Sequence, residues 1–179
     1  MNTVETLLAA NRESIVQRWQ HLILDTYPPE TAKLWKKSSD PYHNPVGARV
    51  RETAEAVVDY LASGGDKAAL EPVLDRLDEL VRVRAVQNFS PSQAAGFLFL
   101  LKKVLREGFW QDFCEANAWD QLLAMETRID GLALASLDLY AKCREKLHEI
   151  KYKDLERSQV QLLKRAQLIV GIGEGESAD

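Results

Sequence analysis

The sequence predicts an all-α fold, and three observations carry that expectation. Apolar residues recur near the 3.6-residue helical period in most segments that lie between breakers. No segment shows the period-2 alternation of a strand bounded by turn residues. The stretch from Leu74 to Glu107 holds two helical patterns that meet at one sharp stop-and-start signal. There, Ser90 is a good N-cap, Pro91 fits N1 where its missing N–H costs nothing, and Gln93 at N3 completes a capping box. A new helix is therefore expected to start at Pro91.

The first helix is expected from about Thr3 to Leu24, with Val4, Leu7, Leu8, Ile15, Trp19, Leu22 and Ile23 as its apolar stripe. Asp25-Thr26-Tyr27-Pro28-Pro29 ends it. A short helix follows in PPETAKLWKK, then a polar loop from Ser38 to Gly47 with Pro45 and Gly47 as breakers. The next helix spans about Val46 to Ser63, and Gly64-Gly65 stops it before Asp66 caps its successor. Pro72 divides the Lys67–Gln87 segment into a short turn and a main helix from Glu71 or Pro72 onward.

After the corner at Ser90, Phe97, Leu98, Leu100, Leu101, Val104 and Leu105 cover more than half of a helix surface, which suits a nearly surrounded central helix. Gly108 to Cys114 is short, aromatic and apolar, and Asn117-Ala118 breaks it. From Trp119 to Val170 there is no proline and one interior glycine, Gly131, so one long helix or two nearly collinear ones are expected. Leu122, Leu123, Met125, Ile129, Leu132, Leu134, Leu137, Leu139 and Tyr140 make its first half core-like. In the second half, Tyr152, Leu155, Gln159, Leu162, Ala166 and Ile169 form a heptad seam with charged flanks. The expected organisation is a helical domain over 1–150, a stretch of the long C-terminal helix extending as a coiled coil over 151–170 and a disordered acidic tail over 171–179.

A length of 179 residues suits one domain with a sizeable core. A net charge of −4 with no basic block argues against nucleic acid and anionic membrane surfaces as partners. No apolar run approaches the ~20 residues of a membrane span, and the N-terminus has no signal-peptide h-region. Cys114 and Cys143 are not closely spaced, which suits reduced thiols in a cytoplasmic protein.

The run Arg82 to Ala94 (RVRAVQNFSPSQA), with Gly96-Phe97 and Leu101-Lys102 after it, resembles the RsbR/RsbRD N-terminal sensor domain. Asn44-Pro45-Val46-Gly47 upstream and Tyr140 to Lys146 (YAKCREK) downstream add to the likeness, which extends from roughly Leu7 to Leu155 in the family's order. The resemblance implies a globin-like pack that lacks haem. It also implies a homodimeric input module of bacterial stress signalling, commonly placed ahead of a STAS or kinase output domain. Periodicity alone allows either a globin-like pack or an up-down bundle. Because the chain ends soon after its last helix, the STAS, kinase or other signalling partner is expected to be a separate protein, unless the chain is an excised input domain.

Haem would need a proximal histidine on the Pro72–Gln87 helix, and that helix has none; the histidines are His21, His43 and His148. Phe97, Phe99 and Leu101 can fill a haem pocket directly. His21 with Asp25, and His148 with Glu145 or Glu149, fall short of a metal ligand set. Cys143 beside Arg144 and Lys146 suggests a lowered thiol pKa only if those cations share its face, which adjacent helical residues do not. Both cysteines read more simply as small buried residues. Gly171-Ile172-Gly173-Glu174-Gly175 follows a helix, so it is not a phosphate loop. No catalytic residue, metal ligand or cofactor site is therefore assigned.

Arg82, Arg84, Gln87 and Asn88 at the corner stand out, because a central helix cannot leave both Arg82 and Gln87 in solvent. Two readings stay open. They line a small polar pocket for an anionic or dipolar ligand, or they tie the corner down by pairing with acidic residues and helix-end carbonyls. The dimer seam is expected at Tyr152, Leu155, Leu162, Ala166 and Ile169. A redox or cofactor-binding protein using Cys143, and a purely structural adaptor, are the competing functions.

Overall fold

A computed structural model of the chain describes residues 3–37 and 44–165, and among them the regular structure is entirely helical. The elements are α1 (Thr3–Ala10), α2 (Arg12–Leu24), α3 (Pro29–Lys37), α4 (Pro45–Ala62), α5 (Lys67–Val86), α6 (Pro91–Ala95), α7 (Phe97–Glu115) and α8 (Trp119–Arg165). The chain divides into two units, residues 1–141 and 142–179.

In the first unit α2 packs against α1, α3, α4 and α7, and α4 packs in turn against α1, α3 and α5. The core is apolar: Ile15, Val16, Trp19, Val57, Leu77, Leu80, Leu98, Leu101 and Ile129 are all sealed from solvent. Each fully buried side chain of this size contributes roughly 1.5–3 kcal/mol by leaving water. Two ion pairs bind α7 to α8. Arg106 reaches both oxygens of Glu126 at 2.7 and 2.6 Å, and Lys102 pairs with Asp130.

Three helices end by the same backbone device. After α4, α5 and α7 a left-handed residue reverses the chain, namely Gly64, Asn88 (φ 61°) and Asn117 (φ 48°). In each case the next amide donates back into the last turn, Gly65 to Tyr60, Phe89 to Arg84 and Ala118 to Phe113, at 3.0 to 3.1 Å. These are Schellman closures, which satisfy carbonyls that would otherwise be orphaned. Glycine and asparagine are the residues that enter this conformation at least cost.

The helix expected at Pro91 starts there. Ser90 accepts from the Gln93 amide at 3.3 Å, and the Gln93 side chain accepts from the Ser90 amide at 3.0 Å. Several expectations are corrected. The first helix is interrupted at Asn11, whose side-chain amide bonds to the Leu7 carbonyl and competes with the helical ladder. Pro45 is not a loop breaker but the N1 residue of α4, capped by Asn44, whose Oδ1 accepts from the Gly47 amide at 2.8 Å. Gly47 is required by close approach, since a Cβ there would collide with the Asn44 amide group.

Pro72 does not divide its segment: α5 runs unbroken from Lys67 to Val86. In the second turn a proline removes only one ladder bond, the one to the carbonyl of Ala68, and Ala68 is an exposed residue. The central helix is split at Gly96, where a side chain would strike the Ser92 carbonyl. It is also less enclosed than expected, because Phe99 is half exposed beneath the Lys102 ammonium. Leu123, Leu134 and Leu137 of α8 face solvent rather than the core. Their helix buries a narrower stripe through Leu122, Met125, Ile129, Leu132 and Tyr140. An all-apolar segment does not reveal which of its faces has a partner.

In the second unit, His148 to Arg165 are all exposed on the continuing turns of α8. No helix among the described residues is long and apolar enough to cross a membrane.

Candidate functional site

The four polar corner residues take different places. Arg82 points outward and pairs with Asp78 one turn earlier at 2.6 Å. Gln87 and Asn88 are exposed, the first as the C-cap of α5 and the second as the left-handed residue that ends it. Arg84 alone turns inward, and it is 0% exposed.

The reason is helical phase. Leu77, Leu80, Val81, Arg84 and Ala85 lie on the buried stripe of α5, at the spacing of one helix face. Position 84 must therefore be inside, and the surroundings are built for a cation. Arg84 Nη1 donates to the Gln93 carbonyl at 2.8 Å, and Nη2 donates to Thr26 Oγ1 at 2.9 Å and to the Ile23 carbonyl at 3.5 Å. Its guanidinium carbon lies 5.1, 5.0 and 4.9 Å from the ring centres of Tyr27, Phe89 and Phe97. One side chain thus links the end of α2, the α2–α3 connection, the α5–α6 turn and the starts of α6 and α7.

Tyr27 completes this cluster. It packs edge-on against Trp35 and tilted against Phe89, each at 5.0 Å between centroids. Burial pushes the Tyr27 hydroxyl above its ordinary pKa, and the Arg84 charge opposes that shift. Burial pushes Arg84 downward, with Tyr27 opposing. An arginine starts so high that it stays charged. The phenol stays neutral beside the guanidinium. From the far side, the Tyr140 hydroxyl donates to the Phe89 carbonyl at 2.6 Å and fastens the corner to α8.

Thr26, Tyr27 and Phe89 were not singled out in the sequence. Tyr27 stood beside Pro28-Pro29 and read as part of a helix stop. Only the position of Arg84 on the apolar stripe of α5 hinted that a polar partner set had to be supplied from elsewhere.

The described histidines and the cysteines lie apart from this cluster. His21 and His148 are exposed, and His43 lies outside the described residues. Cys114 is exposed rather than buried, on the outer face of the last α7 turn, and Cys143 is half-buried. Among the described residues no group of three or more His, Cys, Asp or Glu side chains is gathered as a metal site would require. Of the seam residues, Tyr152, Leu155 and Leu162 are 64%, 61% and 62% exposed. Ala166 and Ile169 lie outside the described residues, as does the 171–179 tail.

Neither the curated proteins nor the solved structures hold a match to the chain. The family model described as the RsbT co-antagonist protein rsbRD N-terminal domain matches residues 13–152, from the start of α2 into α8. That match covers most of the sequence and includes every residue of the Arg84 cluster, and the chain belongs to this family.

Proposed function

We propose that this domain is a haem-free, globin-like input module of a cytoplasmic stress-signalling system that works as a homodimer and performs no chemistry of its own. Its output passes to a STAS, kinase or other signalling partner. The family description supports a regulatory role, since it names a co-antagonist of another protein.

The observation that carries the dimer is on α8. Tyr152, Leu155, Gln159 and Leu162 recur at intervals of 3, 4 and 3 residues, and all four are exposed. A single helix with a leucine seam facing water is marginal alone. A two-fold parallel pair brings the seams together as a coiled coil, with the charged neighbours at its flanks. A signal would then travel as a shift or rotation of one α8 against the other.

The test is the double substitution Leu155→Glu and Leu162→Glu, followed by light scattering. The wild type should run as a dimer and the variant as a folded monomer with unchanged helical content. A wild type that is already monomeric at high micromolar concentration would sink the reading. An absorption spectrum checks the haem-free part: a Soret band in the purified protein would overturn it.

A further inference from the structure

Leu123, Leu134 and Leu137 belong to the part of α8 that lies in the first unit, yet all three are exposed, while Leu122, Met125, Ile129 and Leu132 bury another face of the same helix. Gly131 stands among the exposed ones, in the interior of a 47-residue helix. Glycine weakens a helix interior relative to alanine, and nothing in its own chain asks for it here. Its φ is not positive, and a Cβ added there would meet no atom within 4 Å. At each of the other described glycines a Cβ would come to 2.8 Å or less from a neighbouring atom. On the same face the Thr127 hydroxyl is satisfied by the Leu123 carbonyl at 2.8 Å. Exposed leucines around a glycine with no internal use describe a helix face open to another helix at short range.

Three observations name the occupant as the same face of a second copy. The first is length. The seam from Tyr152 to Leu162 spans fewer than two heptads, and even when counted to Ile169 it spans fewer than the roughly three that a coiled coil needs. The second is register. Counting back from Tyr152 in the alternating steps of 4 and 3 reaches Ala141, Asp138, Leu134, Gly131, Thr127 and Ala124 in the first unit, and every one is exposed. Asp138 is the one charge in that run, a polar seam position of the kind that fixes register at some cost in stability. The third is charge. A two-fold contact sets like against like, and the charges where α7 meets α8 are already neutralised within the chain, Lys102 by Asp130 and Arg106 by Glu126. We infer that the outward face of α8 from Leu123 to Ala141 is a close-packed contact with the same face of a second copy, the two helices approaching nearest at Gly131. This rests on the dimer proposed above and extends it from the seam into the body of the domain. Neither stretch is long enough alone, so loss of either one dissociates the pair.

The test measures the dimer dissociation constant of the whole chain by sedimentation equilibrium. Gly131→Gln places a good helix former where its own chain leaves room, so helical content should hold while the dissociation constant rises at least about ten-fold. Leu134→Glu, at an exposed position, should give a folded monomer. Leu134→Cys, in a chain that also carries Cys114→Ala and Cys143→Ala, should cross-link to its own copy under mild oxidation. Dissociation constants within about two-fold of wild type in both Gly131→Gln and Leu134→Glu would overturn this contact and leave the seam standing. Dissociation in Leu134→Glu alone, with Gly131→Gln unaffected, would overturn the close approach at Gly131. A dimer that survives Leu155→Glu with Leu162→Glu but is lost in Leu134→Glu would support this contact and remove the seam. A wild type that is monomeric at high micromolar concentration would remove both.

Discussion

Replacing Arg84 tests whether the corner is held by charge and hydrogen bonding or by packing. Arg84→Ala removes two strong hydrogen bonds, at 2.8 and 2.9 Å, from a charged donor. Each is worth about 1.5 kcal/mol. The contacts with three rings add about 1 kcal/mol, and the lost stem leaves a hole in a sealed site. Against this, a guanidinium no longer has to be taken out of water. The balance is a loss of about 3 kcal/mol. Arg84→Met refills most of the volume and removes the charge, so it should lie within about 1.5 kcal/mol of the wild type, as volume-conserving replacement of a buried ion commonly does. Urea unfolding, read from the fluorescence of the fully buried Trp19 at fixed salt, measures both. An Arg84→Ala variant less than about 0.5 kcal/mol below wild type would refute the tie. Equal losses in the two variants would show that the hydrogen bonds dominate and packing does not matter.

Three further outcomes are expected from the same unfolding assay. Leu101→Ala should cost roughly 2–5 kcal/mol, because the residue is sealed within the core alongside Leu77, Leu80 and Leu132. Ser90→Ala should lose about 1 kcal/mol through the vacated cap of α6, with no change in the slope of the transition. Asn117→Gly should stabilise the domain by about 0.5 kcal/mol and Asn117→Ala should destabilise it by about 1 kcal/mol, since the position is exposed and left-handed; the opposite order would contradict the helix ending described for α7.

What was legible in the sequence is what local chemistry decides. The all-α class followed from periodicity. The start of α6 followed from Ser90, Pro91 and Gln93, because a capping box involves only residues three apart. The stops at Gly64 and Asn117 likewise depend on one residue's tolerance of positive φ. Pro72 was misjudged because the cost of a helical proline depends on whether one orphaned carbonyl meets solvent, which spacing does not tell. The outward placement of Leu123, Leu134 and Leu137 was hidden for a related reason: a helix apolar on several sides does not say which side finds a neighbour. The Arg84 centre belonged wholly to the tertiary structure. Thr26 and Tyr27 lie 58 and 57 residues before Arg84 in the chain, and their hydroxyls meet its charge only because α2 and α5 end at the same corner. Sequence pattern places a residue on a helix face; only the packing of helices decides which distant side chains share its surroundings.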